Sequence, residues 1–298
     1  MPSSLTPNPR DAQDLAALRA LGIDPDRLDF GHGGVDPLPK ADERELITAR
    51  HFLEYIATQR GIDLSAATIH PWVIATFQHA TYAKLVNATG AQPSDFWKHM
   101  SFEVAHGMVR EQPVTIARLH VGAPSAVSRI EELIACGGQR FIVLGIAGAL
   151  RHDLPLGAAI LATGALREDG TSFHYIPAGT EVIPDRELTE DMAAACVATQ
   201  TPFRRGPVWT TDAPYRELAS KVSTYSTLGI LAVEMEAAAL FAVAMLRGVR
   251  LSLLMAISDH LSDPWRPGFM TAELKTAYDM LVAVALSCVS AARERDPV

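Results

Sequence analysis

Cysteine is scarce. The 298-residue chain has three, Cys136, Cys196 and Cys288, scattered and outside any CxxC or His-rich ligand spacing. That excludes a disulfide framework and a zinc ribbon, and it reads as small core residues in a reducing cytoplasm. Positive charge is also in deficit: 26 Lys and Arg stand against 34 Asp and Glu, a formal net charge of −8. Such a balance argues against nucleic acid or an anionic membrane surface as partner, while leaving room for a locally basic site with an anionic small substrate. Charges or prolines interrupt every apolar run before about 18 residues, so no membrane-spanning helix is expected. The opening MPSSLTPNPRDAQD has no basic stretch leading into an apolar one, so no signal peptide is expected. There is no internal repeat and no low-complexity segment.

What remains is an ordinary globular composition, 48% hydrophobic and 20% charged, long enough for one large domain or two small ones. Residues 1–12 read as a loose terminus, rich in Pro, Ser and Asn. Helical patterns follow over 15–21 and 41–60, joined by the loop GHGGVDPLPK, with Asp42 and Glu43 near the start of the second as a helix N-terminus favours. This part, residues 1–68, reads as an N-terminal helical extension, too short to bury much core alone. From residue 69 to 298, strand and helix alternate. Strands are expected over 72–76, 113–121, 140–146, 158–164, 207–211, 229–235 and 251–257. Helices are expected over 79–86, 124–136, 188–199, 237–247 and 271–293. Gly137-Gly138 supplies a C-terminal stop. The segment RFIVLGI has the continuous apolar character of a strand buried on both faces. The alternation predicts an α/β domain with a mixed, mainly parallel central sheet flanked by helices.

Two acidic signatures stand at ends of apolar strands, where an α/β sheet forms its ligand sites. The first is Val233-Glu234-Met235-Glu236-Ala237-Ala238-Ala239. Acids one residue apart point to opposite sides while a strand persists, so one can face a cleft and the other serve structure. A carboxylate accepts two hydrogen bonds and suits a vicinal diol such as the two ribose hydroxyls; the methionine offers a soft apolar surface for a sugar or base face. The competing reading is a helix N-terminus decorated with Glu. The second signature is Ala256-Ile257-Ser258-Asp259-His260. Asp259 is either a helix cap or a general acid, a carboxyl whose pKa is raised in a partly apolar cleft so that it protonates a leaving group. His260 reads as a surface residue. Gly145-Ile146-Ala147-Gly148-Ala149 closes the buried strand with small residues that let backbone approach a ligand.

In this order the pieces resemble the nucleoside phosphorylase superfamily, which includes purine nucleoside phosphorylase, uridine phosphorylase and the methylthioadenosine/adenosylhomocysteine nucleosidases. The resemblance runs from about Trp72 to Ala292. Val121-Gly122-Ala123-Pro124-Ser125-Ala126 is similar to the family's Gly-rich turn, and Gly145 to Ala149 to its small-residue loop. Thr210-Thr211-Asp212-Ala213-Pro214-Tyr215 is similar to the segment lining its base pocket, Val233 to Ala238 to its ribose-binding signature, and Ser258-Asp259-His260 to the acid motif of its purine-cleaving members. The resemblance implies that Glu236 binds ribose hydroxyls, with Met235 under the sugar and Glu234 beside it. It implies that Asp259, oriented by Ser258, shares or donates a proton to N7 of a purine. Gly148, Pro214 and Tyr215 would contact the nucleoside. No cofactor or metal is implied, and the implied partner is a further copy of the chain, in a dimer, trimer or hexamer.

Three departures bear on the acceptor. The family's phosphate turn, Gly-Asp-Pro-x-Arg, falls on Phe77-Gln78-His79-Ala80-Thr81; a second Arg and a Ser or Thr fall on Val143 and Ile146; an Arg donated by a neighbouring subunit falls near Met100. Phosphate needs charge-assisted donors, so hydrolysis is expected, with Gln78, His79 or Glu103 placing the water. The alternatives are a phosphorylase whose anion site is rebuilt around Arg118 and His120, and a non-catalytic nucleoside-binding or storage protein. The loop Asp263-Pro264-Trp265-Arg266-Pro267 reads either as a surface turn or as a flap bringing Arg266 to Asp259.

Overall fold

The computed structural model describes residues 28–29, 34–35 and 45–295, with side chains from 45 to 292. The expected loose terminus and the helix over 15–21 lie outside the described residues; within the expected loop region, Leu28–Asp29 pairs antiparallel with Gly34–Val35. The second N-terminal helix, α1, is Ala49–Arg60. It starts later than Asp42 and Glu43 suggest, because Thr48 is the residue that caps it: its hydroxyl accepts from the His51 N–H at 3.2 Å. Gly61, at φ +62°, ends it in the left-handed conformation that glycine adopts without strain.

The remaining elements are β1 (Trp72–Thr76), α2 (His79–Thr89), β2 (Glu103–Val109), β3 (Gln112–Arg118), α3 (Ala123–Ala135), β4 (Arg140–Ala149), β5 (Ala159–Glu168) and α4 (Arg186–Ala198). Then come β6 (Phe203–Thr211), α5 (Ala219–Thr227), β7 (Ala232–Glu234), α6 (Ala237–Arg247), β8 (Arg250–His260) and α7 (Ala272–Arg295). Two elements had no sequence signal. β2 mixes His, Gly and Met without alternation and is held by pairing with β3, Glu103 opposite Arg118 through Val109 opposite Gln112. α5 is rich in Ser and Thr, poor helix formers, and buries no residue.

β1, β3, β4 and β8 run parallel, while β5, β6 and β7 run parallel to each other and opposite to β4 and β8. β4 is the hinge of the sheet. Along one side it pairs with β8 for its whole length; along the other it pairs first with β1, Arg140 to Leu144, and then with β7, Gly148 and Ala149. Because β8, β5, β6, β7 and β4 pair in a ring, these five strands close on themselves. The flank β1–β3–β2 spreads from β4, and two-residue strands end the sheet: Gln92–Pro93 beyond β2 and Arg266–Pro267 beyond β8.

Both faces of the sheet are covered. Phe141 and Val143 of β4 pack with Ile130 and Leu133 of α3 and Phe241 and Val243 of α6, and Leu53 of α1 belongs to the same core. Ile142 and Leu144 pack on the other face with Leu85, Met192, Leu281 and Val284. Ala272–Ala292 corrects one expectation. This stretch of α7 is long and apolar enough to cross a membrane by length and composition. In the fold its apolar side, Leu274, Leu281, Val284 and Val289, is buried in the second core, which is why the sequence is apolar there.

Candidate active site

The two acidic signatures meet across β4. Gly148 pairs with Val233 of β7 on one side and with Asp259 of β8 on the other. Two sheet spacings thus separate the strands that carry the acids, about 10 Å. The register of β4 and β8 slips by one residue between Ile257 and Asp259. This bulge at Ser258 re-aims the side chains at the strand end. Gly148 is required by close approach: a Cβ there would lie 2.5 Å from Leu261 Cδ1 and 3.3 Å from Asp259 Oδ2.

Asp259 is 7% exposed, and both its oxygens accept a hydrogen bond. Ser258 Oγ donates to Oδ1 at 2.7 Å, and the Trp265 indole N–H donates to Oδ2 at 2.8 Å. The loop partner of the acid is therefore Trp265, whereas Arg266 is exposed and pairs through its backbone with His260. Trp265 stands next to Phe269, ring centroids 6.2 Å apart. His260 is half-buried rather than a surface residue, with Nε2 donating to the Leu154 carbonyl at 2.6 Å.

In the other signature the two glutamates have separate tasks. Glu234 is spent on structure. Oε2 accepts from the N–H groups of Glu236 and Ala237 at 2.7 and 2.6 Å, and Oε1 accepts from Thr210 Oγ1 at 2.5 Å. Thr210 in turn accepts from the Ala238 N–H at 2.9 Å. Three N–H groups at the start of α6, those of Glu236, Ala237 and Ala238, are thereby satisfied. Glu236 is 7% exposed and points the other way; one oxygen accepts from the Gly122 N–H at 2.6 Å. Gly122, at φ +100°, opens α3. Burial, and the charge of Glu234 close by, raise the pKa of Glu236 above the usual carboxylate range. Met235 between them is half-buried.

The region expected to hold water or an anion lies where β1 and β3 end. The Phe77 ring would be 3.6 Å from a Cβ at Gly145, so a phenyl group fills space beside the small-residue loop. Thr81 is fully buried, and its hydroxyl is without a hydrogen-bond partner among the described residues. Gln78 precedes α2 and accepts from Thr76 Oγ1 at 3.5 Å. His79 is exposed, with Nδ1 3.9 Å from Glu103 Oε1. Arg118 is ion-paired to the other oxygen of Glu103. His120 is half-buried in the following turn, and Val143 is buried in the core.

The segment expected to line a base pocket is open within the chain. Pro214 and Tyr215 form a short helical turn and are exposed, Tyr215 at 99%. Asp212 accepts from the Gly170 N–H at 2.7 Å. Glu217 follows, half-buried, with a pKa pushed up to about 7 by burial and then by the charge of Asp259. Glu217 carries charge at the site that the residue patterns did not single out, and they marked the segments of Thr210 and Trp265 without giving Thr210 to the α6 cap or Trp265 to Asp259. In the loop 263–267 the indole of Trp265, not the Arg266 favoured by charge, was the donor to look for.

Residues 75–292 match the sequence pattern of the Phosphorylase superfamily. The chain is 30% identical over 164 residues to guanosine phosphorylase of Halorubrum lacusprofundi, covering 55% of this chain and 68% of the relative. It is 30% identical over 207 residues to uridine phosphorylase of Treponema pallidum, 66% and 80% of the two chains. It is also 30% identical over 187 residues to a DeoD-type purine nucleoside phosphorylase of Myxococcus xanthus, 62% and 77%. Among solved structures, purine nucleoside phosphorylase from Toxoplasma gondii in complex with immucillin-H superposes with a TM-score of 0.70 at 20% identity, covering 77% of this chain and 94% of that one. Uridine phosphorylase from Vibrio fischeri ES114 gives 0.66 at 22% identity, covering 76% and 94%; these two likenesses speak for the fold. With a match over residues 75–292 and a shared architecture, the chain belongs to the phosphorylase superfamily.

Proposed function

We propose that this chain is an enzyme that cleaves the N-glycosidic bond of a purine-type nucleoside, with inorganic phosphate as acceptor. The observation that carries the cleavage is the pairing of Asp259 and Val233 on either side of Gly148, which sets a hydrogen-bonded acid and the Glu236 carboxylate around one strand end. Glu236 accepts from ribose hydroxyls and fixes the sugar. Asp259 shares a proton with the leaving base, and the bond breaks through an oxocarbenium-like sugar. That phosphate is the acceptor, rather than the water expected from the sequence, is supported by relatives that are phosphorylases. His79, Arg118 and His120 supply its donors. The exposure of Tyr215 supports a homo-oligomer in which a second copy completes the base pocket. Three scattered cysteines support a cytoplasmic setting.

Hydrolysis is the second reading, and one observation favours it: the Phe77 phenyl stands beside Gly145, in a turn without the family's glycine and arginine. The test is base release from inosine, adenosine, guanosine, methylthioadenosine and uridine, with phosphate present and with phosphate removed. Ribose 1-phosphate formed only with phosphate supports the first reading. Free ribose formed without phosphate supports the second. Absence of release from every purine nucleoside overturns both.

A further inference from the structure

Glu103 and Arg118 stand directly opposite each other on β2 and β3 and form an ion pair through Oε2 and Nε. His79, the first residue of α2, brings Nδ1 to 3.9 Å from the other oxygen, Oε1. One carboxylate thus spans a guanidinium and an imidazole, one oxygen to each. Glu103 also faces the half-buried Tyr82, whose hydroxyl pKa is raised by burial and next by the Glu103 charge. With Lys98 and Ser101, these two residues line a cavity of about 340 Å³.

The cluster adjoins the sugar clamp. The Leu119 N–H donates to the Thr76 carbonyl at 2.8 Å, tying together the exits of β1 and β3. Three residues further, Gly122 donates to Glu236. Arg118 is thus four residues along the chain from the glycine that holds the Glu236 carboxylate. A carboxylate and a phosphate are alternative occupants of one guanidinium, since both present oxygens to the same fork of donors. Glu103 is tethered on the facing strand, so its effective concentration at Arg118 is high. If phosphate displaced it and Glu103 stayed charged nearby, the two anions would repel.

We propose that Glu103 sets how tightly the acceptor anion is held, as a tethered carboxylate that phosphate must displace from Arg118 and His79. Its catalytic consequence rests on the nucleoside-cleaving reading above; its binding consequence does not. The test is thermal unfolding of the full chain, Glu103→Gln, and Glu103→Gln with Arg118→Gln, in rising inorganic phosphate at ionic strength held constant with sodium chloride. Glu103→Gln is expected to gain a phosphate-dependent rise in Tm with an apparent affinity at least tenfold tighter than the parent chain. Adding Arg118→Gln is expected to abolish that gain. Folded Glu103→Gln, verified by circular dichroism, that binds phosphate no more tightly than the parent overturns the proposal, as does a gain retained in the double variant. In the rate assay, Glu103→Gln is expected to lower the phosphate concentration for half-maximal base release about tenfold while the nucleoside KM moves less than twofold. Failure of every variant and of the parent to release base would sink the functional reading and leave the phosphate titration to decide the Glu103 proposal.

Discussion

The indole N–H of Trp265 reaches Asp259 Oδ2 across the end of β8, at 2.8 Å, while Ser258 occupies Oδ1. Leaving a buried carboxyl oxygen without its donor costs about 1–3 kcal/mol, enough for Trp265 to govern where the acid points. Trp265→Phe keeps an aromatic ring near Phe269 while removing the N–H donor. The expected result is a kcat for base release lower by roughly 10- to 100-fold. Unchanged kcat would show that the contact is incidental.

Asp259 and Glu236 divide the reaction between base and sugar. Asp259→Asn removes the transferable proton, and a loss of about 10²–10⁴ in kcat is expected for an acid in this position. Glu236→Gln keeps the shape but weakens acceptance from a diol, so the nucleoside KM is expected to rise together with a fall in kcat. Steady-state kinetics on inosine separates the two; a variant of either residue with parental kcat/KM would remove that residue from the mechanism.

Gly148→Ala tests the spacing. The added methyl would meet Leu261, which can move, and both Asp259 oxygens, at 3.3 and 3.4 Å, which are held by their donors. Activity is therefore expected to fall by more than tenfold while Tm drops by only a few degrees. Loss of fold, seen as a collapsed Tm, would place the strain in the sheet instead.

Thr210→Val tests the cap on α6. It deletes the hydroxyl that accepts from the Ala238 N–H and donates to buried Glu234, leaving polar groups unpaired at about 1–3 kcal/mol. Urea unfolding is expected to show that loss. A loss under about 0.5 kcal/mol would mean that the helix end is satisfied without Thr210.

Glu217 gives the stability a pH dependence of definite sign. Burial lifts its pKa from 4.5 to about 7, so between those values the folded chain holds a proton that the unfolded chain has released. Its contribution is fully present below about pH 4.5 and declines as pH rises to about 7. Glu217→Gln is expected to flatten that decline, measured as urea midpoints at pH 5 and pH 7.5. Equal slopes in parent and variant would refute the assignment.

Legibility followed burial. Residues 72–76 and 237–247 form their elements with the expected bounds, because the first is buried throughout and the second from Ala237 to Ala244, and a buried segment carries an apolar signal along its length. β2 has no such signal, since its existence depends on a partner strand. At the site, the acids were readable from their places at strand ends. Which of the two takes which direction was not: that Glu234 faces the α6 backbone and Glu236 faces Gly122 is decided by the bend at Met235 and Glu236 between β7 and α6, which periodicity does not encode. Trp265 and Arg266 are neighbours in sequence, and only the pairing of Arg266 with His260 decides which of them turns toward Asp259.

The two outermost strands of the sheet, Gln92–Pro93 and Arg266–Pro267, are each two residues long and end in proline. Proline has no N–H to offer, and so short a ladder gives an incoming chain almost nothing to copy. The ring of five strands presents no margin of its own. At each of these two outermost strands, growth of the sheet from one molecule into the next finds a two-residue ladder that ends without a donor.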